Sequence, residues 1–118
     1  MIHFDYSEFD SPDAPGSGQK HMDAEFLHML DLAREDAGIP FKVNSGYRTK
    51  EHNEKVGGVP SSSHTKGLAA DIHCTSDADR SKIVEALICV GFNRIGIAKT
   101  FIHVDYDLEK NSHRIWVY

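Results

Sequence analysis

Apolar residues along this chain fall into stretches of helical and of extended spacing, and most stretches are closed by Gly or Pro. In residues 22–37, Met22, Phe26, Leu27, Met29, Leu30 and Ala33 recur at the interval of one helix face, and Gly38-Ile39-Pro40 supplies the stop. Residues 76–90 repeat the pattern, with Ser76 as cap, acidic residues in the first turn, Ile83, Val84, Leu87 and Ile88 on one face, and Gly91 as terminator. Between them, Thr49 is placed to cap a shorter helix running to Val56, before Gly57-Gly58 and Pro60.

The extended stretches are shorter. Residues 41–44, bounded by Pro40 and Gly46, read as a strand that delivers Ser45-Gly46-Tyr47-Arg48 to its end, and residues 68–73 return to an extended apolar pattern after a serine-rich loop over 60–66. Residues 94–98, 101–106 and 114–118 read as three further strands joined by turns. Because these last strands follow one another without helices, the pattern predicts an α+β domain, a small antiparallel sheet with two main helices, rather than a parallel α/β sheet. The Pro and Gly of residues 10–18 exclude regular structure there, so the first twenty residues are expected to form an irregular arm packed on a single domain spanning 1–118.

Composition narrows the function. A chain of 118 residues with 40% hydrophobic and 26% charged residues is ordinary for a globular protein and long enough to bury one core. The net charge of −5 and the lack of a basic stripe argue against nucleic acid as partner. No stretch has the roughly 18 apolar residues of a membrane span, and Met1-Ile2-His3-Phe4-Asp5 lacks the basic and apolar regions of a secretory signal. Synthesis in the cytoplasm is therefore expected, with release by lysis or export if the substrate lies outside the membrane. Cys74 and Cys89 cannot form a disulfide framework and are expected to be buried thiols.

Eight histidines invite a metal hypothesis, and spacing has to decide it. His3, His21, His28, His52 and His113 have no partner at a recognisable interval, and His73, two residues after Asp71, is a neighbour of the site or merely structural. The informative segment is Ser62-Ser63-His64-Thr65-Lys66-Gly67-Leu68-Ala69-Ala70-Asp71: His64 sits in a loop, Gly67 lets the chain turn, and small Ala69 allows close approach while Asp71 points back toward His64. Later, His103-Val104-Asp105 lies on an apolar strand, where period two puts His103 and Asp105 on one face and Ile102 and Val104 on the core side. His64, Asp71 and His103 together offer two imidazoles and one carboxylate, a donor set that suits zinc at a catalytic site with an open fourth position.

The Ser-x-His-x-x-Gly-x-Ala-x-Asp segment followed by His-x-Asp resembles the zinc D-alanyl-D-alanine carboxypeptidase family, whose architecture is the hedgehog/DD-peptidase fold. Ser45-Gly46-Tyr47-Arg48-Thr49 is similar to the family's Ser-Gly-Tyr-Arg segment, Asn53 through Gly58 to its Asn-x-x-Val-Gly-Gly stretch, and Phe4-Asp5-Tyr6-Ser7-Glu8-Phe9 to the opening of short phage-type and bacterial members. The resemblance implies His64, Asp71 and His103 as zinc ligands, Arg48 as a catalytic or substrate-binding residue, and peptidoglycan peptide as substrate, handled by a monomer. The guanidinium of Arg48 suits a peptide carboxylate or a developing oxyanion. Ser62 either donates to substrate or braces the His64 loop.

One position departs from the pattern. Many relatives carry an acid three residues before the second histidine ligand, where this chain has Thr100, whose hydroxyl cannot take a proton from water at neutral pH. Asp105 is the replacement the sequence offers, either as proton acceptor or as the group that orients a ligand imidazole. The departure leaves open a slow enzyme, a different base such as His73, or a non-catalytic zinc domain that binds cell-wall peptide or a protein partner. A separate rival is a metal-free interaction module in which the polar pair on the strand is coincidental.

Overall fold

The caps read from the sequence at Thr49 and Ser76 are formed, and Asp23, not read as a cap, sets the start of the first long helix. Asp23 Oδ2 accepts from Phe26 N at 2.9 Å, Thr49 Oγ1 from His52 N at 3.1 Å and Ser76 Oγ from Asp79 N at 3.1 Å. In the computed structural model, which describes residues 1–118, the helices are α1 (Ser17–His21), α2 (Ala24–Ala37), α3 (Lys50–Lys55) and α4 (Asp77–Cys89). The strands are β1 (Val43–Ser45), β2 (Ala69–His73), β3 (Arg94–Ile97), β4 (Phe101–Asp105) and β5 (Arg114–Val117), with 3-10 turns at Tyr6–Phe9 and Ser63–Lys66. Because Asp23 is the cap, Met22 lies outside α2 and ends α1 instead.

The five strands form one sheet in the order β1-β2-β4-β3-β5, and the fold is α+β as the pattern implied. All neighbours are antiparallel except β3 and β5, which run parallel. The sheet is mostly antiparallel, as expected, and the parallel pair has a simple origin: both edges of β4 are already occupied by β2 and β3, so the chain leaving β4 reverses and adds β5 to the open edge of β3.

α2 packs on α4, and Phe26, Leu27, Leu30, Ile83 and Leu87 share one apolar cluster with Ile72, Ile95, Ile102 and Val104 of the sheet. Each such side chain, fully withdrawn from water, contributes about 1.5–3 kcal/mol. The N-terminal arm joins this cluster through Phe4 and Phe9, the latter wholly buried. It is less irregular than expected: it includes the first 3-10 turn and α1, and Ser17 and Gly18 are helical because Asp10 accepts from Gly16 N and Gly18 N at the helix entrance. Both cysteines are free, and Cys74 is buried as expected, but Cys89 is exposed at the end of α4. No helix is long and apolar enough to cross a membrane.

The alternation that buries Ile72, Ile102 and Val104 turns their neighbours to the opposite face. There, Ser45 faces Asp71, Asp71 faces His103, His103 faces Gly96 and Gly96 faces Trp116, a single row that crosses all five strands. On β1 the row depends on a bulge between Val43 and Ser45, which makes Ser45 rather than Asn44 the partner of Asp71.

Candidate metal centre

His64 reaches this row from the second 3-10 turn. Ser62 Oγ accepts from His64 N at 3.2 Å and caps the turn, and Gly67 ends it with φ of 72°, where an added Cβ would collide with the His21 carbonyl. Gly67 is therefore required twice, for its backbone angle and for the close approach. His64 is buried, and its Nδ1 lies 2.8 Å from the Gly46 carbonyl oxygen. A carbonyl only accepts, so Nδ1 carries the proton and the lone pair of Nε2 is aimed at Asp71 Oδ1, 3.3 Å away.

His103 is fixed by the same logic. Its Nε2 is 2.8 Å from Asp105 Oδ2, and the other Asp105 oxygen accepts from Arg94 Nε at 2.7 Å. With Nε2 donating to the carboxylate, Nδ1 of a neutral imidazole presents its lone pair to Asp71 Oδ1 at 2.9 Å. Two imidazole lone pairs and a carboxylate oxygen thus converge, and donor atoms of His64, Asp71 and His103 lie within 4.8 Å of one another. Such facing lone pairs repel unless a proton or a cation stands between them. The residues fit zinc, which takes nitrogen and carboxylate oxygen donors in this number.

The electrostatics agree. Burial raises the Asp71 carboxyl, but when a proton stands on the facing nitrogens, hydrogen bonds and positive charge from His103 and His64 outweigh that and hold it well below the usual range. Burial disfavours a charged His103, yet the Asp105 and Asp71 carboxylates overcome this and raise its affinity for a proton. The negative charge of the two carboxylates also favours a cation beside His103. Asp105 is raised by burial and lowered more by His103 and Arg94, so it too stays ionised.

Arg48 stands beside the cluster. Its Nε donates to Ser45 Oγ at 3.1 Å and Nη1 to Asn53 Oδ1 at 3.3 Å, while Nη2 lies 3.6 Å from Asp71 Oδ2. These contacts aim the guanidinium into a cleft of about 400 Å³ whose lining includes Arg48, Ser62, His64, Asp71, His103 and Asp105. All six residues singled out in the sequence therefore meet at one place. His73 is exposed and outside the cluster, Thr100 is exposed in the turn before β4, and the other five histidines contribute no donor to the group.

Sequence reasoning missed the Gly46 carbonyl, Arg94 and Trp116. A backbone acceptor leaves no mark in residue identity. Arg94 does: period two in Arg94-Ile95-Gly96-Ile97 places it on the face of Gly96, hence beside Asp105. Trp116 lies over Gly96, where a Cβ would come within 2.6 Å of its Nε1, and its ring is 5.6 Å from that of His103.

Two imidazoles and a carboxylate at the floor of a cleft, with an arginine alongside, form the donor set of an open metal site. Residues 3–105 match the family model Peptidase M15, and the chain belongs to this family of zinc-dependent, D-Ala-D-Ala carboxypeptidase-like peptidases. A search of curated proteins finds no match. Residues 106–118 lie outside the matched span, yet Lys110, Trp116 and Tyr118 line one side of the cleft.

Proposed function

We propose that this chain is a zinc peptidase that hydrolyses peptide bonds in peptidoglycan stem peptides, either as a carboxypeptidase at the D-Ala-D-Ala end or as an endopeptidase at a cross-link. The observation that carries the reading is the convergence of His64 Nε2 and His103 Nδ1 on Asp71 Oδ1 within a cleft flanked by Arg48. His64, Asp71 and His103 would hold the metal, which when bound polarises a carbonyl and makes water more acidic. Arg48, fixed by Ser45 and Asn53, grips a substrate carboxylate or the oxyanion. Asp105 lies on the far side of the His103 ring from Asp71, with both oxygens engaged, so of its two candidate roles we favour orienting the imidazole over accepting a proton. Ser62 holds the His64 turn and keeps a hydroxyl proton for substrate.

The test is a digest of purified peptidoglycan, read by mass spectrometry with and without a chelator. Loss of terminal D-Ala identifies the carboxypeptidase, opened cross-links identify the endopeptidase, and no metal-dependent product contradicts both. A second reading, a zinc domain that binds wall peptide without cleaving it, is favoured by one observation: the two carboxylates lining the cleft, Asp71 and Asp105, are both engaged, and the acid of relatives is the exposed Thr100. It predicts binding of the same peptides with no products. We further propose that the chain acts as a monomer and reaches the wall by release or export after synthesis in the cytoplasm.

A further inference from the structure

Lys110 lies in the connection between β4 and β5, and its Nζ donates to Ser63 Oγ at 2.9 Å. Ser63 in turn donates to Asp107 Oδ2 at 2.8 Å and directly precedes His64 in the chain. The ammonium is therefore held one residue away from the metal centre, on the wall of the same cleft.

Asp107 is its ion-pair partner, but at the long end of the range and shared with Lys66. Its Oδ2 is taken by Ser63 and by Lys66 Nζ at 2.9 Å, its Oδ1 accepts from Glu109 N at 3.2 Å, and Lys110 Nζ stays 3.8 Å from Oδ2. Lys66 has Glu109 as a further partner at 3.6 Å, so one buried carboxylate serves two lysines and only Lys66 has a second acid. The hydrogen bond of Lys110 is to Ser63, beside the long ion pair with Asp107, and its side chain remains 29% exposed. The neighbouring arginine is engaged: Arg94 bonds Asp105 and the Asn111 carbonyl. A fixed ammonium with free N–H bonds, in a cleft built for peptide, is placed to take an anion.

We propose that Lys110, positioned by Ser63, is a second anion subsite of the cleft and binds a carboxylate of the substrate peptide remote from the scissile bond, while Arg48 serves the group next to the metal. The inference rests on the peptidase reading above and deepens it: the substrate class becomes a peptide with a free internal carboxylate. Lys110 and Trp116 both lie beyond the residues matched by the family.

Trp116 is the only tryptophan and lines the cleft, so its fluorescence reports occupancy. The zinc-loaded protein and its Lys110→Met variant are mixed in stopped flow, before turnover, with a stem pentapeptide whose second residue bears either a free carboxylate or a carboxamide. We expect the wild type to bind the carboxylate form about tenfold more tightly, and Lys110→Met to cut that ratio below about twofold by weakening the carboxylate form alone. Equal affinity of the wild type for the two forms, or equal weakening of both by Lys110→Met, overturns the subsite and leaves the peptidase reading standing. Failure of both forms to bind the zinc-loaded wild type overturns the peptide reading and the subsite together. Unchanged thermal unfolding of Lys110→Met separates a lost contact from a disturbed loop.

Discussion

Asp71 and His103 are direct cross-strand partners on β2 and β4, with Asp71 Oδ1 2.9 Å from His103 Nδ1. The pairing register alone brings the carboxylate and the imidazole together, and a slip of one residue would send Asp71 to the apolar face. The centre is thus a property of sheet register, with His64 added from the adjoining turn. Asp71→Asn keeps the shape and removes the charge. Zinc affinity, measured by competition with a chromophoric chelator, should fall by about a hundredfold or more, and the far-ultraviolet circular dichroism should not change.

Asp105 and Arg94 form a buried pair behind His103, the Asp105 side chain being 1% exposed. Arg94→Met leaves that buried carboxylate with His103 and a long bond from Asp107 N at 3.4 Å, without its cationic partner, and should cost about 3 kcal/mol in urea unfolding. Asp105→Asn should weaken zinc binding about 10- to 100-fold through loss of the oriented imidazole. If Asp105 is instead the proton acceptor, the same variant binds zinc normally and fails only in turnover.

Gly96 makes room for the indole of Trp116 in the middle of the row. Gly96→Ala puts a methyl group into that space and should displace the ring from His103. The expected results are a red-shifted emission of Trp116 and a loss of about 1–3 kcal/mol in stability. Unchanged emission would show that the indole does not rest on Gly96.

The N-terminal arm is tied down by Asp31, whose oxygens accept from Ile2 N at 3.0 Å and His3 N at 2.8 Å. Burial raises this carboxyl, but the two N–H bonds outweigh it and leave the pKa below the usual 3.8. A lowered folded-state value means that the stabilisation is complete above 3.8 and is lost as pH falls through the lowered value. Asp31→Asn should therefore cost about 1–2 kcal/mol near pH 6, and its difference from the wild type should shrink below 3.8 in urea unfolding curves taken across that range.

Much of this was legible in the residues. Apolar periodicity located α2 and α4, cap residues set the starts of α3 and α4, and period two on β4 correctly paired His103 with Asp105, whereas the Asp23 cap of α2 was not read. What escaped depends on partners distant in the chain. Residues 114–118 read as a strand, but nothing in Arg114-Ile115-Trp116-Val117 says that its neighbour is β3 rather than β4. The bulge that sets Ser45 opposite Asp71 has no local signature in Val43-Asn44-Ser45, and the Gly46 carbonyl that fixes the His64 tautomer belongs to the backbone. Residues 10–18 misled for a related reason: their Pro and Gly suggested irregularity, and the Asp10 carboxylate that starts α1 acts across several residues.

The central claim is that His64, Asp71 and His103 jointly hold one metal ion. The most direct measurement is the zinc content of the purified protein beside its His64→Ala and His103→Ala variants, each checked for retained fold by circular dichroism. About one zinc per chain in the wild type, falling below about a tenth in both variants, is the predicted result. Equal zinc in wild type and His103→Ala, or none in the wild type after zinc loading, would contradict it.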